Sequence, residues 1–158
     1  MTVSSYAVDL AARLIRCRSV TPAEGGALTL LAQELSPLGF KCSWLPFGEG
    51  PDRIENLFAR RGQSGPHFAF AGHTDVVSVG DASAWRHGPF SAAQEDGKLF
   101  GRGAADMKGG IAAFVAALRQ FVDSNPSGSI SLIITSDEEG DAEYGTAKMV
   151  EWMKAHNH

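Results

Sequence analysis

Residues 67–77 have the sequence HFAFAGHTDVV, in which an apolar run is followed directly by polar side chains. Its apolar part, residues 67–71, lies between a Gly-Pro turn and a glycine, which predicts a short strand buried on both faces of a sheet. Residues 130–134 repeat this pattern, and the helical spacing between the two, residues 111–122, ends before Asn125-Pro126. A strand, a helix and a strand in this order predict a right-handed crossover. We therefore expect an α/β fold with a largely parallel sheet flanked by helices.

Outside this unit, periodicity and turn residues predict further elements. Apolar residues at helical spacing predict helices, and short apolar runs bounded by turn residues predict strands. A polar segment that contains Trp85 and Pro89-Phe90 predicts an ordered surface loop leading into a short hairpin. The predicted helices are residues 6–16, 28–38 and 144–154, the predicted strands are residues 40–47 and 56–59, and the predicted loop is residues 81–98.

Composition narrows the class of partner. The chain has 158 residues, of which 44% are hydrophobic and 20% charged, as expected for one globular domain. Its net charge is −4 and its basic residues cluster only at Arg60-Arg61, which argues against nucleic acid or a membrane as the main partner. We see no apolar span and no signal segment, which predicts a cytoplasmic protein. Cys17 and Cys42 are too far apart for a CxxC motif, so both cysteines are predicted to be reduced. We expect a small-molecule partner.

Polar side chains follow both predicted core strands. His73 and Asp75 come directly after the first strand, and residues 137–139, Asp-Glu-Glu, follow the second. In such sheets, ligands bind beyond the carboxyl ends of the strands. Zinc takes imidazole nitrogen and carboxylate oxygen, and in hydrolases it keeps a position open for water. The pattern predicts a hydrolytic zinc site.

Each polar residue has a candidate role. His73 supplies an imidazole ligand, and Asp75 is placed to hold the far nitrogen of the same ring. Asp106 precedes Met-Lys-Gly-Gly and the predicted helix, where it could bridge two ions. The adjacent pair Glu138 and Glu139 divides into one ligand and one general acid/base, and chemistry alone leaves open which is which.

Structural interpretations compete with each of these roles when the segments are taken singly. Asp106 could be a helix N-cap, and the acidic triplet could be a solvated turn. A His-x-Asp sequence after a strand is also common in a purely structural role. The joint occurrence of the three segments at the ends of consecutive buried elements favours the metal site.

From Gly72 to Lys148 the sequence resembles the zinc-dependent aminoacylase and carboxypeptidase superfamily, most closely its succinyl-diaminopimelate desuccinylase branch. The match is long and keeps the order of the family's motifs. One departure is Ser78, which stands where the family usually has proline. The matching text is HTDVV (73–77), Gly80-Asp81, Trp85, Pro89-Phe90, DGxLFGRGAADMKGG (96–110), SDEEG (136–140) and Gly145-Thr146.

The resemblance implies a role for each site residue. It implies that His73 binds one zinc, Asp106 bridges two zincs and Glu139 binds the other, with cobalt as a possible substitute. It also implies that Asp75 orients His73 and that Glu138 is the general acid/base. The implied reaction is hydrolysis of N-succinyl-LL-2,6-diaminopimelate to succinate and LL-diaminopimelate, a step in lysine and diaminopimelate biosynthesis.

The resemblance also concerns the extent of the chain. Family members continue well beyond this length, with further ligands and a lid domain that dimerises, so residues 1–158 are expected to be the amino-terminal portion of a catalytic domain. The family implies a homodimer for the full-length enzyme, and for this chain alone we expect self-association and almost no activity. Two alternatives remain: another N-acyl amino acid deacylase or carboxypeptidase of the superfamily, or a non-catalytic module that acts through protein association.

Overall fold

The computed structural model describes residues 2–124 and 127–158, so the predicted helix stop at Asn125-Pro126 lies outside the described residues. The predicted helices and strands are confirmed, with shifted ends. A short 3-10 turn, Ser36–Leu38, continues the second helix up to Gly39. The helices are α1 (Val3–Arg16), α2 (Ala27–Leu35), α3 (Gly109–Asp123) and α4 (Thr146–Ala155), and the strands are β1 (Lys41–Trp44), β2 (Leu57–Arg61), β3 (His67–His73), β4 (Ala93–Glu95), β5 (Lys98–Phe100) and β6 (Ser129–Thr135).

Within the described residues, the main sheet has the strand order β1-β2-β6-β3 and is mixed. The β3–β6 pair is parallel, as the crossover through α3 predicted. The β1–β2 and β2–β6 pairs are antiparallel, so the predicted predominance of parallel pairing does not hold for these strands. The reason is the short connection of residues 62–66, which reverses the chain between β2 and β3. Since β6 enters between them parallel to β3, it must run antiparallel to β2.

Helices cover both faces of this sheet. The face under α1, α2 and α3 carries the larger core, in which Leu14, Leu31 and Leu132 are fully buried. On the opposite face, α4 places Met149 against Phe58 of β2 and a neighbouring isoleucine of β6. The α/β arrangement with flanking helices is therefore confirmed.

The two core strands differ in burial. β6 is buried along almost its whole length, as predicted. β3 is exposed or half-buried from His67 to Gly72, and Phe68 is 58% exposed, so the prediction of a strand buried on both faces is wrong for β3. The cause is its place at the end of the strand order, where β6 pairs with one side of it. On the α3 side, Phe70 is still half-buried because its ring stacks on Phe114, with ring centroids 4.1 Å apart.

The segment between β3 and α3 is the predicted ordered loop and hairpin. β4 and β5 pair antiparallel within it. Trp85 anchors the loop, since its indole N–H donates to the Val79 carbonyl at 2.9 Å. None of the helices in the described ranges combines the length and the apolar character that crossing a membrane requires.

Candidate metal centre

The candidate site lies where β3 and β6 end side by side. Their parallel register pairs His73 with Thr135. One residue further, the Thr74 amide donates to the Thr135 carbonyl at 3.0 Å. The polar segments that follow the two strands therefore start next to each other, as the sequence predicted.

His73 presents its two ring nitrogens to different groups. Nδ1 lies 3.1 Å from the backbone oxygen of Asp75 and 3.5 Å from its Oδ1. Nε2 lies 3.1 Å from Oδ1 of Asp106 and 3.8 Å from Oε2 of Glu138. Hydrogen bonding to Asp75 raises the pKa of the ring to about 9, against the opposing effect of burial, and Asp106 adds to the rise. The ring thus turns Nε2 towards carboxylates and Nδ1 towards Asp75.

Asp75 is fully buried and connects three segments of the chain. Its Oδ2 accepts hydrogen bonds from the amides of Glu138 (3.0 Å) and Glu139 (2.9 Å) and from the Thr21 hydroxyl (3.0 Å). Burial alone would raise its pKa, but the hydrogen bonds from His73, Glu139 and Thr21 outweigh burial and lower it. One ionised carboxylate therefore fixes both the imidazole and the backbone of the glutamate pair.

Ligand atoms of His73, Glu138 and Glu139 converge at this point. Within the described ranges, each offers an atom within 4.8 Å of the other two. Asp106 lies outside that triad but contacts the same imidazole nitrogen. The side chains of Asp106 and Glu138 are 77% and 57% exposed, so the cluster is open to solvent. Imidazole nitrogen and carboxylate oxygen are the donor set that zinc prefers.

The structure tests two structural alternatives to the metal site: Asp106 as a helix N-cap and residues 137–139 as a solvated turn. Asp106 lies in an irregular turn, Ala104–Lys108, with φ −125° and ψ 101°, and the N-cap of α3 is Lys108 without a side-chain bond. Asp106 is therefore not the cap of α3. Asp137 is buried and accepts from the amides of Ala142 and Tyr144, so the acidic triplet is not a freely solvated turn.

Two residues near the site had no role in the sequence analysis. Thr21 reaches Asp75 from 54 positions away, and no local pattern in the sequence indicates this contact. Lys108 is fully buried, and its Nζ donates to the Cys17 carbonyl at 2.9 Å. Burial lowers the pKa of Lys108 to about 8, while the nearby Cys17 and Asp75 raise it. Its burial could not be read from its position between Asp106 and a helix.

Comparison with known sequences places the chain in a family. Residues 69–158, more than half of the chain, match the model of peptidase family M20/M25/M40. A succinyl-diaminopimelate desuccinylase of Gluconacetobacter diazotrophicus is 59% identical over 155 residues, which cover 97% of this chain and 40% of that protein. A second succinyl-diaminopimelate desuccinylase, from Rhodospirillum centenum, is 58% identical over 151 residues, which cover 94% of this chain and 39% of that protein. The chain spans about two fifths of the length of these relatives.

Solved structures share the fold at low identity. Human carnosine dipeptidase 1 superimposes with a TM-score of 0.81 at 23% identity, covering 96% of this chain and 36% of that one. An M20 family metallo-carboxypeptidase from Sulfolobus solfataricus gives the same TM-score at 22% identity, covering 95% and 35%.

The resemblance noted from the motifs is thus confirmed, both in its family and in its similarity to the desuccinylase branch. The family is metal-dependent, which agrees with the donor set at the ends of β3 and β6. This chain belongs to peptidase family M20/M25/M40.

Proposed function

We propose that the chain provides metal-site residues for a zinc-dependent amidohydrolase that converts N-succinyl-LL-2,6-diaminopimelate to succinate and LL-diaminopimelate. The observation that carries the proposal is the convergence of His73, Glu138 and Glu139 within 4.8 Å, with Asp106 3.1 Å from the same imidazole. The substrate is suggested by the names of the relatives at 56–59% identity.

We propose that the site of the complete enzyme would take two zinc ions, with cobalt as a possible substitute. In this assignment His73 would hold one ion, Glu139 would hold the other, and Asp106 would be a ligand shared by both. Bound zinc supplies Lewis acidity, which polarises an amide carbonyl and lowers the pKa of water. Asp75 would hold the proton on Nδ1 of His73, which would leave Nε2 as the nitrogen that binds an ion.

Glu138 is the proposed general acid/base. Its side chain is 57% exposed, while its amide is fixed by Asp75, so the carboxylate is positioned and still reaches solvent. It would accept a proton from the attacking water and deliver it to the leaving nitrogen, a role that typically contributes about 10²–10⁴-fold in rate.

The proposal also covers the extent of the catalytic domain, its cellular location and its oligomeric state. Residues 1–158 would form the amino-terminal portion of a catalytic domain, in line with their coverage of about 40% of the relatives. The complete enzyme would be a cytoplasmic homodimer, and the two cysteines, both free in the structure, agree with a reducing compartment. This chain alone would be almost inactive, because lost substrate positioning can cost about 7–11 kcal/mol. It would also self-associate, since β3 lies at the end of the strand order in the described residues and its outer edge could pair with a second copy.

A chimera tests the proposal. In it, this chain replaces the matching segment of the Gluconacetobacter diazotrophicus relative. We expect the zinc-loaded chimera to hydrolyse N-succinyl-LL-2,6-diaminopimelate, and Glu138→Gln in the same chimera to fold, bind zinc and lose hydrolysis. A folded, zinc-loaded chimera without hydrolysis would refute the catalytic assignment.

The substrate is tested by running N-acetylornithine beside the succinyl compound with both the chimera and the relative. A switch to the acetyl substrate in the chimera alone would assign a different acyl preference to this chain. Zinc titration of the isolated chain completes the test, since absence of specific uptake at neutral pH would favour the non-catalytic module.

A further inference from the structure

Lys108 is a buried lysine two residues after Asp106 of the candidate metal centre. It is fully buried, a state that lysine almost never adopts without a partner. Its hydrogen-bond partner is not a carboxylate but the backbone carbonyl of Cys17, 2.9 Å from Nζ. Cys17 is the C-cap of α1 and directly follows its last residue, Arg16. A charge held so far from water needs an explanation.

The first part of the explanation is mechanical. The carboxyl end of a helix carries partial negative charge, which attracts an ammonium group. Through this contact Lys108 ties the turn that contains Asp106 to the end of α1. At the other end, the Lys108 amide donates to the Gly103 carbonyl at 2.9 Å, so the turn closes on itself.

The stem of the side chain is also confined. A Cβ added to Gly103 would lie 3.2 Å from Cδ of Lys108 and 2.6 Å from a methyl of Val76. Val76 follows Asp75 directly. The stem therefore packs where the Asp106 turn meets the segment that carries Asp75.

The second part is electrostatic. Asp75, Asp106, Glu138 and Glu139 gather carboxylates around one imidazole. Like charges at such distances repel, and Asp75 is held in the interior where that repulsion is poorly screened. Lys108 adds a buried positive charge, and its stem packs near Val76, the residue that follows Asp75.

We propose that Lys108 is a positioning residue of the metal site: fixed on the Cys17 carbonyl, it holds the Asp106 turn and offsets the negative charge of Asp75. This inference rests on the proposed metal site and assigns Lys108 no contact with the substrate.

The test uses the whole chain and the variant Lys108→Met, which keeps an unbranched stem and removes the charge. The matched control is Lys148→Met, an exposed lysine paired with Glu151. Zinc affinity is measured at pH 7 by competition with a chromophoric chelator, and the free energy of unfolding is measured in urea. We expect Lys108→Met to bind zinc about 10–100-fold more weakly, the usual effect of removing a residue that supports ligands. Its unfolding free energy should be unchanged or higher, because an apolar side chain replaces a buried charge.

The outcomes separate the possibilities. The proposal would be overturned if Lys108→Met bound zinc as tightly as the wild type. It would also be overturned if a loss of folded protein fully accounted for weaker binding. If the wild-type chain binds no zinc, the proposed function fails by itself. The Lys108 proposal is then decided by hydrogen exchange at the amides of Glu138 and Glu139, which donate to Asp75. Faster exchange in Lys108→Met than in Lys148→Met supports it, and equal exchange overturns it.

Discussion

β6 and β3 are neighbouring strands that were both predicted from short apolar runs, but their surroundings differ. β6 lies between β2 and β3 and is buried on both faces, whereas β3 leaves Phe68 and its neighbours exposed. Yet the candidate site uses the ends of both strands equally. The difference shows that the order of a site does not depend on the burial of the whole strand that carries it.

The carboxyl end of β3 is ordered by cross-links rather than by burial of the strand. The Thr74 amide donates to Thr135, and the Ser19 hydroxyl donates to the Thr74 carbonyl at 2.6 Å. Asp75 then ties the segment after β3 to the backbone of Glu138 and Glu139. Stability should therefore depend mainly on β6, and site geometry mainly on the hydrogen bonds of Asp75.

The largest expected effect is a difference in the free energy of unfolding between a variant in β6 and a variant in β3. Leu132→Ala in β6 should lower the free energy of unfolding by about 2–5 kcal/mol, because it leaves a cavity in the core. Phe68→Ala in β3 should cost less than about 1 kcal/mol, because most of the ring is already in water. Urea denaturation measures both variants. Equal losses would remove the distinction between the strands.

A smaller effect is expected at Asp75, which links the segments that follow β3 and β6. Asp75→Asn keeps the shape of the side chain and removes its charge, and zinc affinity should fall by about 10–100-fold. Asp123→Asn, an exposed position at the end of α3, is the matched control. Calorimetric titration with zinc measures both. Unchanged affinity in Asp75→Asn would separate Asp75 from the metal site.

The hydrogen bond from Thr21 to Asp75 provides a further test of the links at the end of β3. Thr21→Val removes the hydroxyl that donates to Asp75, and the unfolding free energy should fall by about 1 kcal/mol. Thr21→Ser retains the hydroxyl and should behave as the wild type in the same urea titration. A serine variant as weak as the valine variant would attribute the loss to packing rather than to the hydrogen bond.

The smallest change in stability is expected on the exposed strand. Phe68→Lys places a charge on the edge of the sheet, and should alter the unfolding free energy by no more than about 0.5 kcal/mol. Sedimentation velocity should nevertheless detect weaker self-association than in the wild-type chain. Identical sedimentation of the two proteins across a concentration series would exclude β3 as the contact.

Sequence patterns predicted the elements and the candidate ligands, because apolar periodicity and strand ends are local properties. They did not predict that β3 is an outer strand, since the same apolar run fits a central or an edge position. They also missed Thr21 and Lys108, whose partners Asp75 and Cys17 lie 54 and 91 positions away along the chain. Such contacts arise only once the sheet and α1 are assembled, so no local pattern records them.

We propose that Glu139 binds metal and that its neighbour Glu138 does not. Glu139→Gln should lower the zinc content and affinity of the chain, because it removes a charged ligand. Glu138→Gln should leave zinc binding close to that of the wild type, because the ligand oxygens stay in place. Metal analysis of the two purified variants after identical dialysis decides the matter. We expect zinc loss in Glu139→Gln alone; zinc loss in Glu138→Gln with full retention in Glu139→Gln would show that the two roles are reversed.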